Sequence, residues 1–110
     1  MKIDEYQKAA HSTSLNTDIH GDKVIYSVIS FANEAGEVTG KFKKLFRDKN
    51  SEYDNEFKEV IVKELGDAFW YLAEICTQLD ISLDHVASTN LAKLSKRQAK
   101  NKIKGDGDDR

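Results

Sequence analysis

A chain of 110 residues with 33% charged side chains, no proline and a formal net charge of -2 is sized for one domain, and at that length oligomerisation helps to bury apolar surface. The charge balance excludes a broad basic field for nucleic acid, and the lone Cys76 excludes an internal disulfide. Met1-Lys2-Ile3-Asp4 carries no secretory signal, and no apolar stretch approaches the length of a bilayer, so a cytoplasmic protein is expected.

Stretches rich in Ala, Leu, Lys and Glu, with no sustained period-two alternation, predict an all-α fold of four helices. The first covers roughly Ile3 to Ser12, and Thr13 to Gly21 reads as a loop. Asp22 is positioned to cap a second helix that runs to about Phe46. At 100° per residue, Ile25, Val28, Ile29, Ala32 and Gly36 share one face of that helix, and Ser27, Ser30, Glu34, Glu37 and Lys41 form a polar stripe across from it. Solvent alone can account for such a stripe. Arg47-Asp48-Lys49-Asn50 reads as a turn, and Ser51 or Asp54 starts a third helix that ends near Leu79. Ser82 caps a fourth, from Leu83 to about Lys100, with Cys76 before it on the apolar side of the third helix. A single helical domain thus spans residues 1–104, and residues 105–110, Gly105-Asp106-Gly107-Asp108-Asp109-Arg110, form a flexible tail unless a ligand orders them. Short connections between long helices predict antiparallel neighbours in a four-helix bundle-like subunit.

Two acidic pairs stand out, Glu34-Ala35-Gly36-Glu37 and Glu64-Leu65-Gly66-Asp67. Residues three apart share a helical face, so two such helices packed together aim four carboxylates at one point, a donor set that suits Mg2+ or Mn2+. Context separates these pairs from chance. Glu64 lies among Phe57, Val60, Ile61, Ala68 and Ile75, with Asp67 and Tyr71 on its flank, where an uncompensated acid is costly. Glu56 and Glu59 instead fall on an outer side with Lys63.

The fourth helix carries a second anomaly. Leu83, Val86, Ala87 and Leu94 make its apolar stripe, yet Asn90 lies in the middle, with Lys93 and Arg97 at the edge. A buried Asn needs partners. Asn90 holding a metal or phosphate oxygen, with Lys93 and Arg97 supplying positive charge, is one reading; an interhelical hydrogen bond beside a solvated helix end is the other.

Glu34-x-x-Glu37, twenty-six intervening residues and Glu64-x-x-Asp67 resemble the metal signature of the MazG-like, all-α nucleoside triphosphate pyrophosphohydrolases. Tyr6-Gln7, Ala32-Asn33-Glu34-Ala35-Gly36-Glu37, Tyr71, Asn90-Leu91-Ala92-Lys93-Leu94 and Gly105-Asp106-Gly107-Asp108 follow the family order over nearly the whole chain. Asn33, Phe69 and Trp70 depart from the family pattern, at positions that touch the substrate pocket more than the metal. The resemblance implies hydrolysis of a nucleoside triphosphate to the monophosphate and pyrophosphate, with Mg2+ on Glu34, Glu37, Glu64 and Asp67. Glu37 or Glu34 would take the water's proton. Lys41, Tyr71, Asn90, Lys93 and Arg97 would meet phosphate oxygens, and Tyr6, Gln7, His11 and Tyr26 are nominated for the base. Against the last nomination, His11 and His20 share helical spacing with neither acidic pair, which favours surface positions for both, and His85 is incidental.

Trp70 projects away from the apolar face of Glu64, as an interface anchor would, and favours a homodimer or, failing that, a tetramer. Three other classes compete. A di-iron carboxylate bundle typically needs a His three residues after a Glu, and Gly40 and Asp67 stand at those positions. A non-enzymatic helical oligomerisation or interaction module would use the acidic stripes only as solubilising faces. Nucleic-acid binding through Lys93, Lys96, Arg97, Lys100, Lys102 and Lys104 is disfavoured by the acids that follow and by the lack of interleaved aromatics.

Overall fold

The computed structural model describes residues 1–15, 20–48, 50, 52–101 and 103–108. Four helices occur among the described residues: α1 (Ile3–Ser12), α2 (Lys23–Asp48), α3 (Asn55–Gln78) and α4 (Leu83–Ala99). No strand occurs among the described residues.

Local chemistry accounts for the helix ends. Asp22 Oδ1 accepts from the Val24 and Ile25 amides at 2.9 and 3.3 Å, Asp54 from Phe57 N at 2.8 Å, and Ser82 Oγ from His85 N at 3.2 Å. Each satisfies amides that the first helical turn leaves without a partner. Ser51, the other candidate start of α3, lies outside the described residues, as do four residues of the loop expected over Thr13 to Gly21. Helix α3 ends where Asp80 adopts a left-handed conformation (φ 57°). Ile81 N then reaches back to Cys76 O at 2.8 Å and Asp80 N to Thr77 O at 3.1 Å, the paired bonds of a Schellman stop.

Helices α2 and α3 form a long antiparallel pair, and α1 and α4 pack on the C-terminal half of α3. Ala10, Ala73, Cys76 and Leu83 form the core there, flanked by Ile3, Tyr6, Trp70 and Leu72. At the far end Leu45 is buried beside an aromatic group, in which Phe42 meets Phe57 edge-on at 5.1 Å and Tyr53 packs at 6.0 Å from Phe57. Trp70 departs from its expected role as an exposed anchor. It is half-buried against the core, and its indole N–H donates to Thr13 Oγ1 at 3.0 Å, tying the end of α1 to α3.

The faces of α2 are reversed from the simplest expectation. The stripe carrying Ser27, Ser30, Glu34 and Lys41 turns toward α3, with Ser27 fully buried, whereas Ile25, Val28 and Ile29 are exposed. Polar partners on α3 explain this: Ser27 Oγ donates to Gln78 Oε1 at 2.9 Å and Ser30 hydrogen-bonds with Tyr71, so both hydroxyls enter the seam with a partner. Val62, Leu65 and Phe69 of α3 are exposed as well. The radius of gyration, 17.1 Å, exceeds the roughly 13 Å of a compact chain of this length. One protomer therefore leaves much of its apolar helix surface uncovered.

Candidate metal centre

The antiparallel pairing of α2 and α3 brings the two acidic motifs opposite one another. One carboxylate oxygen each from Glu34, Glu64 and Asp67 lies within 4.8 Å of the others. Glu34 and Glu64 are half-buried and Asp67 is exposed, so the group opens to solvent on one side. Glu37 is exposed and lies outside this trio, although its charge still reaches Glu34. Burial first, then the charges of Asp67, Glu37 and Glu64, hold the Glu34 carboxyl above its ordinary range. Crowded acids raise one another's cost of ionisation until a cation sits among them. Lys41 supplies part of that charge, with Nζ 3.8 Å from Glu64 Oε1. Oxygen donors from three carboxylates, with side chains from two rigid helices, fit a hard divalent cation of the Mg2+ or Mn2+ type.

Tyr71 sits next to this group. Its hydroxyl pKa is raised, mainly by burial, with Tyr26 and the Glu34 charge acting in the same direction and a hydrogen bond with Ser30 opposing them. Tyr26 is therefore brought to the edge of the carboxylate cluster through Tyr71. Tyr6 reaches it from α1: burial and then the charge of Asp67 raise its phenol, and its ring packs on Phe69 at 4.7 Å.

The remaining nominated residues lie elsewhere. Gln7 is committed to holding elements together: its Nε2 donates to Thr77 Oγ1 at 3.1 Å and to Ile81 O at 2.9 Å, and its Oε1 accepts from Leu83 N at 2.8 Å. His11, expected at the surface, is exposed on one side, yet its Nδ1 lies 3.0 Å from Oε1 of the fully buried Glu74. Asn90, expected inside the apolar stripe of α4, is exposed, because α4 packs on α1 and α3 through its N-terminal half, where Leu83 and Ala87 point inward. Lys93 and Arg97 are engaged by residues 107 and 108, and thus the segment expected to be a loose tail folds back on α4 as far as Asp108. Asp109 and Arg110 lie outside the described residues.

Glu74 and Gln78 were not singled out by the sequence, and Ser30 was read only as part of the polar stripe of α2, although for Glu74 a signal existed. Glu74 follows Asp67 by seven residues and Tyr71 by three, which places it on their flank of α3. Its Oε2 is buried without a hydrogen-bond partner among the described residues.

No helix among the described residues is long and apolar enough to cross a membrane. No solved structure matches this chain. Over 116 aligned residues, covering the whole of both chains, it is 37% identical to the Gene 37 protein of Mycobacterium phage L5. Residues 24–101, which contain both acidic motifs and nearly all of α2, α3 and α4, match the MazG nucleotide pyrophosphohydrolase domain. With its paired acidic motifs facing one another across α2 and α3, the chain belongs to the MazG nucleotide pyrophosphohydrolase family.

Proposed function

We propose that this chain is a Mg2+-dependent pyrophosphohydrolase that converts a nucleoside or deoxynucleoside triphosphate to the monophosphate and pyrophosphate. The observation that carries the reading is the convergence of Glu34, Glu64 and Asp67 within 4.8 Å on facing helices of a MazG-family domain. Glu34, Glu64 and Asp67 would hold the cation, with Glu37 completing the set by a rotamer change of its exposed side chain. Bound Mg2+ supplies the positive charge that offsets the substrate's triphosphate. The reaction adds water across the anhydride between the α- and β-phosphates: a P–O bond forms to the monophosphate, the bridging P–O bond breaks, and pyrophosphate leaves. Glu37, or Glu34 in its place, takes the water's proton.

Lys41 and Tyr71 are the nearest candidates for phosphate oxygens, since Lys41 Nζ lies 3.8 Å from Glu64 Oε1 and the Glu34 charge reaches the Tyr71 hydroxyl. Lys93 and Arg97 carry the same role on α4, with Asn90 beside them. Tyr26 and Tyr6 border the cluster with aromatic rings and suit a nucleobase better than Gln7, whose amide is held by three structural bonds. His11 is a base candidate only through its exposed side. Neither a membrane nor a stable nucleic-acid complex is part of this reading, and the cytoplasm is its proposed setting.

A homo-oligomer completes it. Phe31, Leu65, Phe69 and Leu72 wall an apolar groove continuous with α2 and α3, and Val28 and Ile29 are 47% and 64% exposed nearby in sequence to Phe31. A second copy is the proposed occupant, because a protomer with a radius of gyration this large leaves an apolar face to cover, and a two-fold axis would set the same groove of each copy against the other. Sedimentation should give a dimer or tetramer, and Leu65→Lys should dissociate it; a monomer at micromolar concentration would refute this part.

The test of the reaction is product analysis with Mg2+ and a panel of ribo- and deoxyribonucleoside triphosphates, scoring pyrophosphate separately from orthophosphate. Monophosphate plus pyrophosphate, abolished by EDTA and by Glu64→Gln, is the expected result. Orthophosphate would mean a different bond is cut, and no product from any nucleotide would favour a helical interaction module.

A further inference from the structure

The last turns of α4 hold the chain's own end in an unusual way. Arg97 is 5% exposed, and its Nη2 donates to three oxygens: Gly107 O at 3.3 Å, Asp108 O at 3.1 Å and Asp108 Oδ1 at 3.2 Å. Lys93, one helical turn earlier, donates to the same Asp108 Oδ1 at 3.0 Å. Gly107 makes the approach possible with a left-handed φ of 80°, and its amide donates to Asp106 Oδ1 at 2.9 Å.

Two cations four residues apart, converging on one carboxylate oxygen, form a receptor for a tetrahedral oxyanion as much as for a carboxylate. The receptor side is fixed on the helix: with the segment docked the guanidinium is nearly enclosed, and its Nε is buried with no partner among the described residues. The occupant side is loose, since the Asp108 side chain is 83% exposed. An exposed carboxylate contributes little net binding to such a pair. A di- or triphosphate presents more charge and more oxygens.

We propose that Lys93 and Arg97 form a phosphate-oxygen site whose internal occupant is Asp108, so that docking of the C-terminal segment and binding of a polyphosphate exclude one another. This deepens the assignment of Lys93 and Arg97 to phosphate and rests on it. The segment acts as a tethered competitor. It shields the cation pair until a ligand of higher charge displaces it, and it returns when the product leaves.

The test uses the full chain and inorganic tripolyphosphate without metal, which requires neither hydrolysis nor the carboxylate cluster. Calorimetric titration at fixed low salt is expected to show Asp108→Asn binding tripolyphosphate roughly two- to thirtyfold more tightly than the unaltered chain, the range set by losing two ion pairs to an exposed carboxylate. Lys93→Gln should abolish binding, and Glu64→Gln should leave it intact while losing any hydrolysis. In the unaltered chain, amide exchange at residues 103–108 should accelerate on saturation. Equal or weaker binding by Asp108→Asn, with its melting temperature unchanged, would overturn the proposal. So would bound tripolyphosphate with the tail still protected, or no binding by any variant. Product analysis on nucleotides decides the hydrolase reading separately, because it is scored with Mg2+ and does not depend on the tail.

Discussion

Gln7→Ala separates a structural from a substrate-contacting residue most sharply. The substitution deletes three hydrogen bonds, to Thr77 Oγ1, Ile81 O and Leu83 N. The Thr77 hydroxyl rotates to another partner, and the Ile81 carbonyl faces enough solvent to recover a water bond. Leu83 N is different. It opens α4, so no intrahelical carbonyl is within its reach, and its residue is buried at 3% exposure. At about 1 kcal/mol for each lost bond, with an added desolvation cost at Leu83 N, the loss is roughly 2–3 kcal/mol. For a domain of about this size, that lowers the melting temperature by roughly 10 °C. Thermal unfolding followed by circular dichroism, alongside turnover at a temperature where both proteins are folded, reads the two effects apart. A melting temperature within about 2 °C of the parent, together with a large rise in KM, would refute the argument and return Gln7 to the base site.

Three further outcomes follow from the same geometry. Millimolar Mg2+ should raise the melting temperature of the metal-free protein by relieving repulsion among Glu34, Glu64 and Asp67, by up to about 2.7 kcal/mol at a hundredfold excess over Kd, and Glu64→Gln should shrink that increment; no Mg2+ effect on the melt would count against the metal centre. His11→Ala leaves the Glu74 carboxylate buried without its 3.0 Å partner and should cost roughly 1–3 kcal/mol in urea unfolding, a loss that His11→Ala combined with Glu74→Leu should partly restore. Hydrogen bonds and charge from Lys93 and Arg97 hold the Asp108 carboxyl below its ordinary value near 3.8. Since the depressed value favours the docked, ionised form, tail docking should persist above 3.8 and be lost only as pH falls through the lower docked-state value, as read by the Gly107 amide resonance. Release already near neutral pH would contradict that sign.

Helix boundaries were legible because caps are local: Asp54 and Phe57, or Ser82 and His85, are three residues apart and announce themselves in any window. The acidic motifs were legible for the same reason, each pair lying within one turn. Orientation was not. Periodicity shows which residues of α2 share a face, but the inward face was decided by Gln78 and Tyr71, more than forty residues away, which give Ser27 and Ser30 partners. The same logic misplaced Asn90, whose neighbours were apolar but whose helix turns that stretch outward. The pairing of His11 with Glu74 spans 63 residues, beyond anything a helical period encodes. Asp108 was read as part of a polar tail, since composition carries no record of where a short segment folds back.

The seam between α2 and α3 has a consequence for how this chain tolerates change. Matched polar groups meet along it, Ser27 with Gln78, Ser30 with Tyr71 and Lys41 with Glu64, and between them Glu34 and Asp67 face one another as like charges. Such a series is keyed like teeth on a rack, because a slide by one turn, about 5.4 Å, would put every tooth against the wrong gap. A single residue inserted between Asp67 and Gln78 would keep the helix helical and yet rotate one half by about 100° against the other. Helical content would survive while the carboxylates and the core no longer faced their partners together. Length variation in this molecule is therefore confined to its connections, and the spacing of the acids is fixed by the helices before any ion arrives.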